Sequence, residues 1–113
     1  MSRPDLNVTL RQMLTYAREA MEMAGRTSRA GLESDVVLGR AILHTLEMIG
    51  EAAARVSVEE RARHPGIPWQ SMVDLRNRLI HGYDRVDLDT VWEILQHDLP
   101  GLVAELARIV SAA

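Results

Sequence analysis

The residues with most to offer chemically sit in one stretch, Asp74-Leu75-Arg76-Asn77-Arg78-Leu79-Ile80-His81-Gly82-Tyr83-Asp84-Arg85. Arg76, Arg78 and Arg85 are cations, and a guanidinium clamps a phosphate through two parallel hydrogen bonds. His81 titrates near neutrality and can give or take a proton. These are parts for cutting a ribonucleic phosphodiester without a metal. A base takes the 2′-hydroxyl proton, an acid protonates the leaving 5′-oxygen, and a cation steadies the charged transition state. On a helix turning about 100° per residue, Asn77 and His81 share a face, and Arg76 lies about 140° from His81. Both still reach the rim at a helix end. The stretch holds one histidine. Two copies related by a two-fold axis would bring base, acid and two guanidinium groups into one cleft. The competing reading has His81 capping or packing at a helix end while the arginines stay solvated.

Further candidates flank this stretch. Glu51 is placed to hydrogen-bond Arg76 or His81, or else is a buried or capping carboxylate. Arg78 and Arg85 extend the phosphate-binding patch or form an ordinary solvated face. His44, His64 and His97 have no metal-ligand spacing, so no metal site and no cofactor is expected. Met13, Met21, Met23, Met48 and Met72 fit core periodicity.

The elements that must position these groups all read as helices. From Leu6, the residues Leu10, Met13, Leu14, Ala17, Ala20, Met21 and Ala24 fall on one half of the wheel, with Arg11, Arg18, Glu19 and Glu22 on the other. A second segment runs from about Ser28 to Val56, with Gly31 and Ser34 disturbing its first turns. Ser57 and Glu60 form a capping-box pattern for a short turn through Ala62. His64-Pro65-Gly66-Ile67-Pro68 is a connection. A third helix begins near Trp69 and ends near His81, with Gly82 as its stop. Asp84 to Asp89 is a charged connection. A fourth helix starts near Leu88 and runs to the end, and Pro100-Gly101 predicts a kink in it. The pattern is an all-α, four- to five-helix up-and-down bundle. The wide apolar arcs of the first and last helices leave room for a two-fold homodimer interface.

Composition narrows the function further. The chain has 113 residues, enough for one domain with one core. Its apolar share of 47% and charged share of 26% exclude wholesale disorder. No cysteine is present, which removes disulfides, thiolate metal sites and cysteine nucleophiles together. The formal charge of −3 argues against a broad basic nucleic-acid surface, though not against a local patch. All 13 basic residues are arginine, for which a genomic base-composition bias is the plain explanation. Phe is absent and few aromatics remain, so a stacking platform for single strands is not expected. No apolar run reaches the ~20 residues of a membrane span. Residues 1–7 carry no apolar leader core, so a cytoplasmic protein is the expectation.

The segment Arg76-Asn77-Arg78-Leu79-Ile80-His81-Gly82-Tyr83 resembles the arginine, polar residue, spacer, histidine, any residue, tyrosine motif of the HEPN superfamily. It is most similar there to the HepT family, the toxin half of MNT–HepT toxin–antitoxin systems (type II/VII-like). Ile49-Gly50-Glu51-Ala52-Ala53, Ile67-Pro68-Trp69, Val91-Trp92 and Leu99-Pro100 also look like that family, so the likeness runs along most of the chain. The resemblance implies that residues 1–113 form a single HEPN-like helical domain. It implies a homodimeric, metal-independent endoribonuclease with a composite site at the dimer interface. Arg76 and His81 match the catalytic pair, and Asn77 matches a polar position that orients substrate or histidine. Tyr83 matches the tyrosine that a partner nucleotidyltransferase antitoxin modifies with AMP. An added phosphate two residues from His81 would repel an RNA phosphate. One departure is Val73-Asp74, where a small residue or glycine is expected two places before the arginine. Asp74 then either weakens RNA binding or orients Arg78. Two other classes stand beside the enzyme: a non-catalytic HEPN substrate-binding partner of a nucleotidyltransferase, and a structural helical dimer. If RNA binds, a local patch neutralises few phosphates, and the salt dependence should be shallow.

Overall fold

The computed structural model describes residues 5–112. The reading of residues 1–7 as lacking a leader core falls mostly on residues 1–4, outside the described residues. Helix α1 (Leu6–Ala24) starts at Asp5, whose carboxylate accepts from the Asn7 amide. It buries Leu10, Met13, Leu14, Ala17, Ala20 and Ala24, the arc the sequence predicts, and adds Thr9.

The segment expected to run from Ser28 to Val56 is two helices. Helix α2 (Arg29–Ser34) is capped by Ser28, and α3 (Val36–Ala54) is capped by Asp35, which accepts from the Leu38 amide. Asp35 offers the backbone a local acceptor outside the helical ladder, so it ends one helix and opens the next. Helix α4 (Val58–Ala62) carries the full Ser57–Glu60 capping box. Arg61 reaches back to the Val56 and Ala53 carbonyls, satisfying acceptors at the end of α3.

Helix α5 (Trp69–Ile80) is the element that matters for chemistry. Its first residue is locked because the Trp69 indole donates to the carbonyls of Arg61 and His64. Beyond its end, a short 3-10 turn (Tyr83–Arg85) crosses part of what reads as a plain charged connection. Helix α6 (Leu88–Glu93) follows, then a π-helical turn (Ile94–Asp98), then α7 (Leu99–Ala112). At the expected interruption near Pro100-Gly101, the turn just before the proline is π-helical. Proline brings no N–H and crowds the preceding turn, and the wider turn just before it absorbs both effects, leaving the helix continuous.

Helix α1 packs between α3 and α7, and α5 packs on α3. Leu10, Met13, Ile42, Leu79, Val91 and Leu106 are fully buried where these helices meet. The described residues contain no strand, and the fold is an all-α bundle. Among them no helix is long and apolar enough to cross a membrane.

The α3–α5 contact depends on Gly50. A Cβ there would lie 2.3 Å from the Arg76 Cβ and 2.6 Å from the Met72 carbonyl oxygen. The second is backbone and cannot swing aside. Gly50→Ala would gain up to about 1 kcal/mol in helix propensity. Overpacking typically costs about 1–3 kcal/mol. The expected outcome is net destabilisation with a fall in Tm of a few degrees, read by thermal melting. A raised Tm would show that the two helices separate freely.

Candidate active site

Helix α5 delivers its last turn to one end of the bundle, and α3 decides how each group there is held. With Gly50 admitting the α5 backbone, Arg76 comes level with Glu51. The Arg76 Nε donates to Glu51 Oε1 at 2.8 Å, and both side chains are partly buried. Glu51 therefore takes Arg76, not His81, as its partner. The Arg76 Nη1 donates to Asn77 Oδ1 at 2.7 Å. Asn77 thus fixes the guanidinium, where the sequence suggests a group orienting substrate or histidine. Arg76 has five N–H donors, so those not spent on Glu51 and Asn77 remain for an anion.

His81 is the C-terminal cap residue of α5, and its side chain is exposed. Among the described residues its side chain makes no hydrogen bond; it stands at the cap position with its imidazole exposed, not packed. Gly82 follows with φ +135° and ψ 134°, a backbone region that L side chains rarely enter. The turn swings the chain back over α3, where the Tyr83 hydroxyl donates to Glu47 at 3.2 Å. The Arg40 guanidinium sits 5.6 Å from the centre of the Tyr83 ring. Glu47 and Arg40 are the residues that sequence reasoning missed. Their signal was helical spacing: Glu47 is one turn before Glu51 on α3.

The electrostatics follow from these contacts. The hydrogen bond from Arg76 holds the Glu51 carboxyl below its ordinary range, against the opposing effect of burial, with Arg76 and Arg55 charges helping. The same hydrogen bond raises Arg76, so its charge is secure. Burial pushes the Tyr83 phenol above its ordinary value, the charge and hydrogen bond of Glu47 push the same way, and Arg40 opposes them.

The other candidates are placed as follows. Arg78 and Arg85 are exposed near this end. Asp74 accepts from Gln70 at 2.9 Å and so is engaged one turn back rather than on Arg78. His97 pairs with Glu93 at 3.4 Å, and His44 is exposed. A cleft of about 550 Å³ lies between α5 and the π turn with α7. Its walls are mainly apolar, it carries Asp98 and Glu105 on its rim, and no motif residue lines it. A phosphodiester needs cations, so that cleft is not the candidate site.

A small all-helical scaffold therefore offers a tethered guanidinium and an open imidazole at one helix end, which suits an incoming phosphodiester. Residues 13–109 match the model of the family described as Ribonuclease HepT-like, and the chain belongs to that family. It is 31% identical over 106 residues to a Methanocaldococcus jannaschii protein named as a putative RNase, covering 94% of this chain and 97% of that one. A Caldanaerobacter subterraneus protein, also named as a putative RNase, is 36% identical over 76 residues, 67% of this chain and 68% of the relative. A Thermococcus cleftensis protein named as a probable ribonuclease HepT is 35% identical over 69 residues, 61% of this chain and 63% of the relative. No solved structure matches the chain.

The tether has a defined pH range. A depressed carboxyl keeps its partner above its ordinary pKa and loses it as pH falls through the lowered value. The Arg76 Nε–H resonance is expected to stay protected from exchange at neutral pH and down to about pH 5, then to weaken below the ordinary carboxylate range near ~4.3. In Glu51→Ala it should be lost already at pH 7. Protection surviving in that variant would show that Glu51 is not what holds the Arg76 Nε–H.

Proposed function

We propose that this chain is the toxin of a toxin–antitoxin system, an endoribonuclease that cuts RNA at a composite site across a two-fold homodimer. A nucleotidyltransferase antitoxin holds it in check by modifying Tyr83 with AMP. The observation that carries the reading is a guanidinium tethered on α5, Arg76, with an exposed His81 at the C-cap of the same helix, in a chain of the ribonuclease HepT-like family.

In this mechanism one His81 takes the proton from a ribose 2′-hydroxyl. The 2′-oxygen attacks phosphorus and the bond to the 5′-oxygen breaks. The partner's His81, protonated, supplies a proton to that leaving oxygen. Arg76 from both chains steadies the added negative charge with its outward donors. Products are a 2′,3′-cyclic phosphate and a 5′-hydroxyl. Arg78 and Arg85 guide the neighbouring phosphates. Ile80, 51% exposed beside His81, is an apolar contact for the second copy. In the control step the Tyr83 oxygen attacks the α-phosphorus of ATP, pyrophosphate leaves and the phenolic proton is lost. The adduct's negative charge then stands at the mouth of the site.

The test is RNA cleavage in excess EDTA with mapping of product ends. Unmodified protein is expected to leave 2′,3′-cyclic phosphates, and His81→Ala or Arg76→Ala to slow cleavage by about 10²-fold or more. Absence of cutting by the unmodified chain across mixed cellular RNA would favour a non-catalytic partner of a nucleotidyltransferase. With the partner enzyme and ATP, the chain should gain adenylyl mass and lose cleavage, and Tyr83→Phe should gain none. Labelling of Tyr83→Phe would move the modification elsewhere.

A further inference from the structure

Two carboxylates on α3 address the two ends of the motif. Glu51 accepts from Arg76 at 2.8 Å, and Glu47, one turn earlier, accepts the Tyr83 hydroxyl at 3.2 Å. Spacing of four residues puts both carboxylates on one face of the helix. Glu47 is only partly buried, and its charge is felt at Arg76 as well as at Tyr83. Its one direct hydrogen bond among the described residues is the phenol. The groups facing Tyr83 are Glu47 and Arg40 from α3, with Glu33 of α2 and Asp84 of its own turn bordering the small cleft beside the ring.

We infer that Glu47 is a positioning residue that couples Tyr83 to Arg76: the phenol holds its carboxylate, and loss of that donor frees the carboxylate to compete for the guanidinium. A free carboxylate one turn from Glu51, on the same face of α3, is a second anion on the side of the helix that already holds Arg76. Arg76 would then spend on α3 the donors it needs for an RNA phosphate. The coupling explains why the motif has a tyrosine and not another aromatic residue at position 83: the ring alone would pack, but only the hydroxyl holds Glu47. An ester on the Tyr83 oxygen removes the same donor and adds negative charge beside Glu47, so the release follows from modification too. The inference rests on the ribonuclease reading for its effect on rate, but the competition of Glu47 for Arg76 that it expects in the variant can be read without it.

Three measurements test it on the full-length chain. The first follows the Arg76 Nε–H resonance. Tyr83→Phe is expected to shift it, and Tyr83→Phe combined with Glu47→Gln to return it to the wild-type position, because glutamine carries no charge to compete. An unshifted resonance in Tyr83→Phe, or a shift that Glu47→Gln leaves in place, overturns the coupling. The second is RNA cleavage by unmodified protein. Tyr83→Phe should lower kcat about tenfold, the rate equivalent of one charged hydrogen bond, with KM little changed, and Glu47→Gln in the same chain should restore most of it. A double variant as slow as Tyr83→Phe overturns the proposal. A wild-type chain that cuts nothing overturns the ribonuclease reading instead, and the resonance shift still decides the coupling. Phenolate absorbance in a Tyr16→Phe background adds a check on the Glu47–Tyr83 link: Tyr83 should titrate above its ordinary range, and lower once Glu47→Gln removes the charge. An unchanged titration breaks the link at its first step.

Discussion

The close approach of α5 to α3 at Gly50 governs everything at the candidate site. One hydrogen in place of a methyl lets the α5 backbone lie against α3, where a Cβ would meet the Met72 carbonyl. That approach puts the root of Arg76 beside Glu51 and aims its guanidinium along the helix surface. Without it, Arg76 is a long side chain with many rotamers. With it, the guanidinium enters the site already ordered, and less entropy is lost when an anion arrives. The anchoring at both ends of α5 serves the same contact. The Trp69 indole ties down the start, and buried Leu79 fixes the last turn.

The site divides its residues between holding and acting. Carboxylates on α3 hold Arg76 and Tyr83, while the exposed His81 side chain at the C-cap of α5 makes no hydrogen bond among the described residues. That division suits a general acid–base group, which must meet a substrate that is absent until RNA binds. It also accounts for a chain with net negative charge serving an anionic substrate. Glu47 and Glu51 face inward to their partners, and Arg78, Arg85 and the spare donors of Arg76 face outward. The cation patch is local, and the acidic surplus lies elsewhere, including the rim of the large cleft at Asp98 and Glu105.

Membership in the ribonuclease HepT-like family and this geometry bear on each other. Family membership makes RNA the substrate class to test first. The geometry shows which motif side chains are held in the free chain. Asn77 braces Arg76, and Tyr83 is engaged through its hydroxyl before any modification.

The sequence determined the helices and the motif, because both are local. A 3.6-residue period marks the buried face of α1 and of the C-terminal run from Val91 through Ile109, and capping chemistry marks Ser57 and Glu60. The spacing from Arg76 to His81 needs only one helix to be meaningful. Two local details came only with the structure: the break expected near Gly31 and Ser34 falls at Asp35, and a π turn precedes Pro100. The choice between Arg76 and His81 as partner of Glu51, the engagement of Asn77 with Arg76, and the roles of Glu47 and Arg40 were settled only by tertiary structure. Each depends on how two helices far apart in sequence are rotated and how closely they approach. Spacing along one chain gives the face a residue occupies, but the partner across the interface depends on packing, here on the absent Cβ of Gly50 and the positive φ of Gly82.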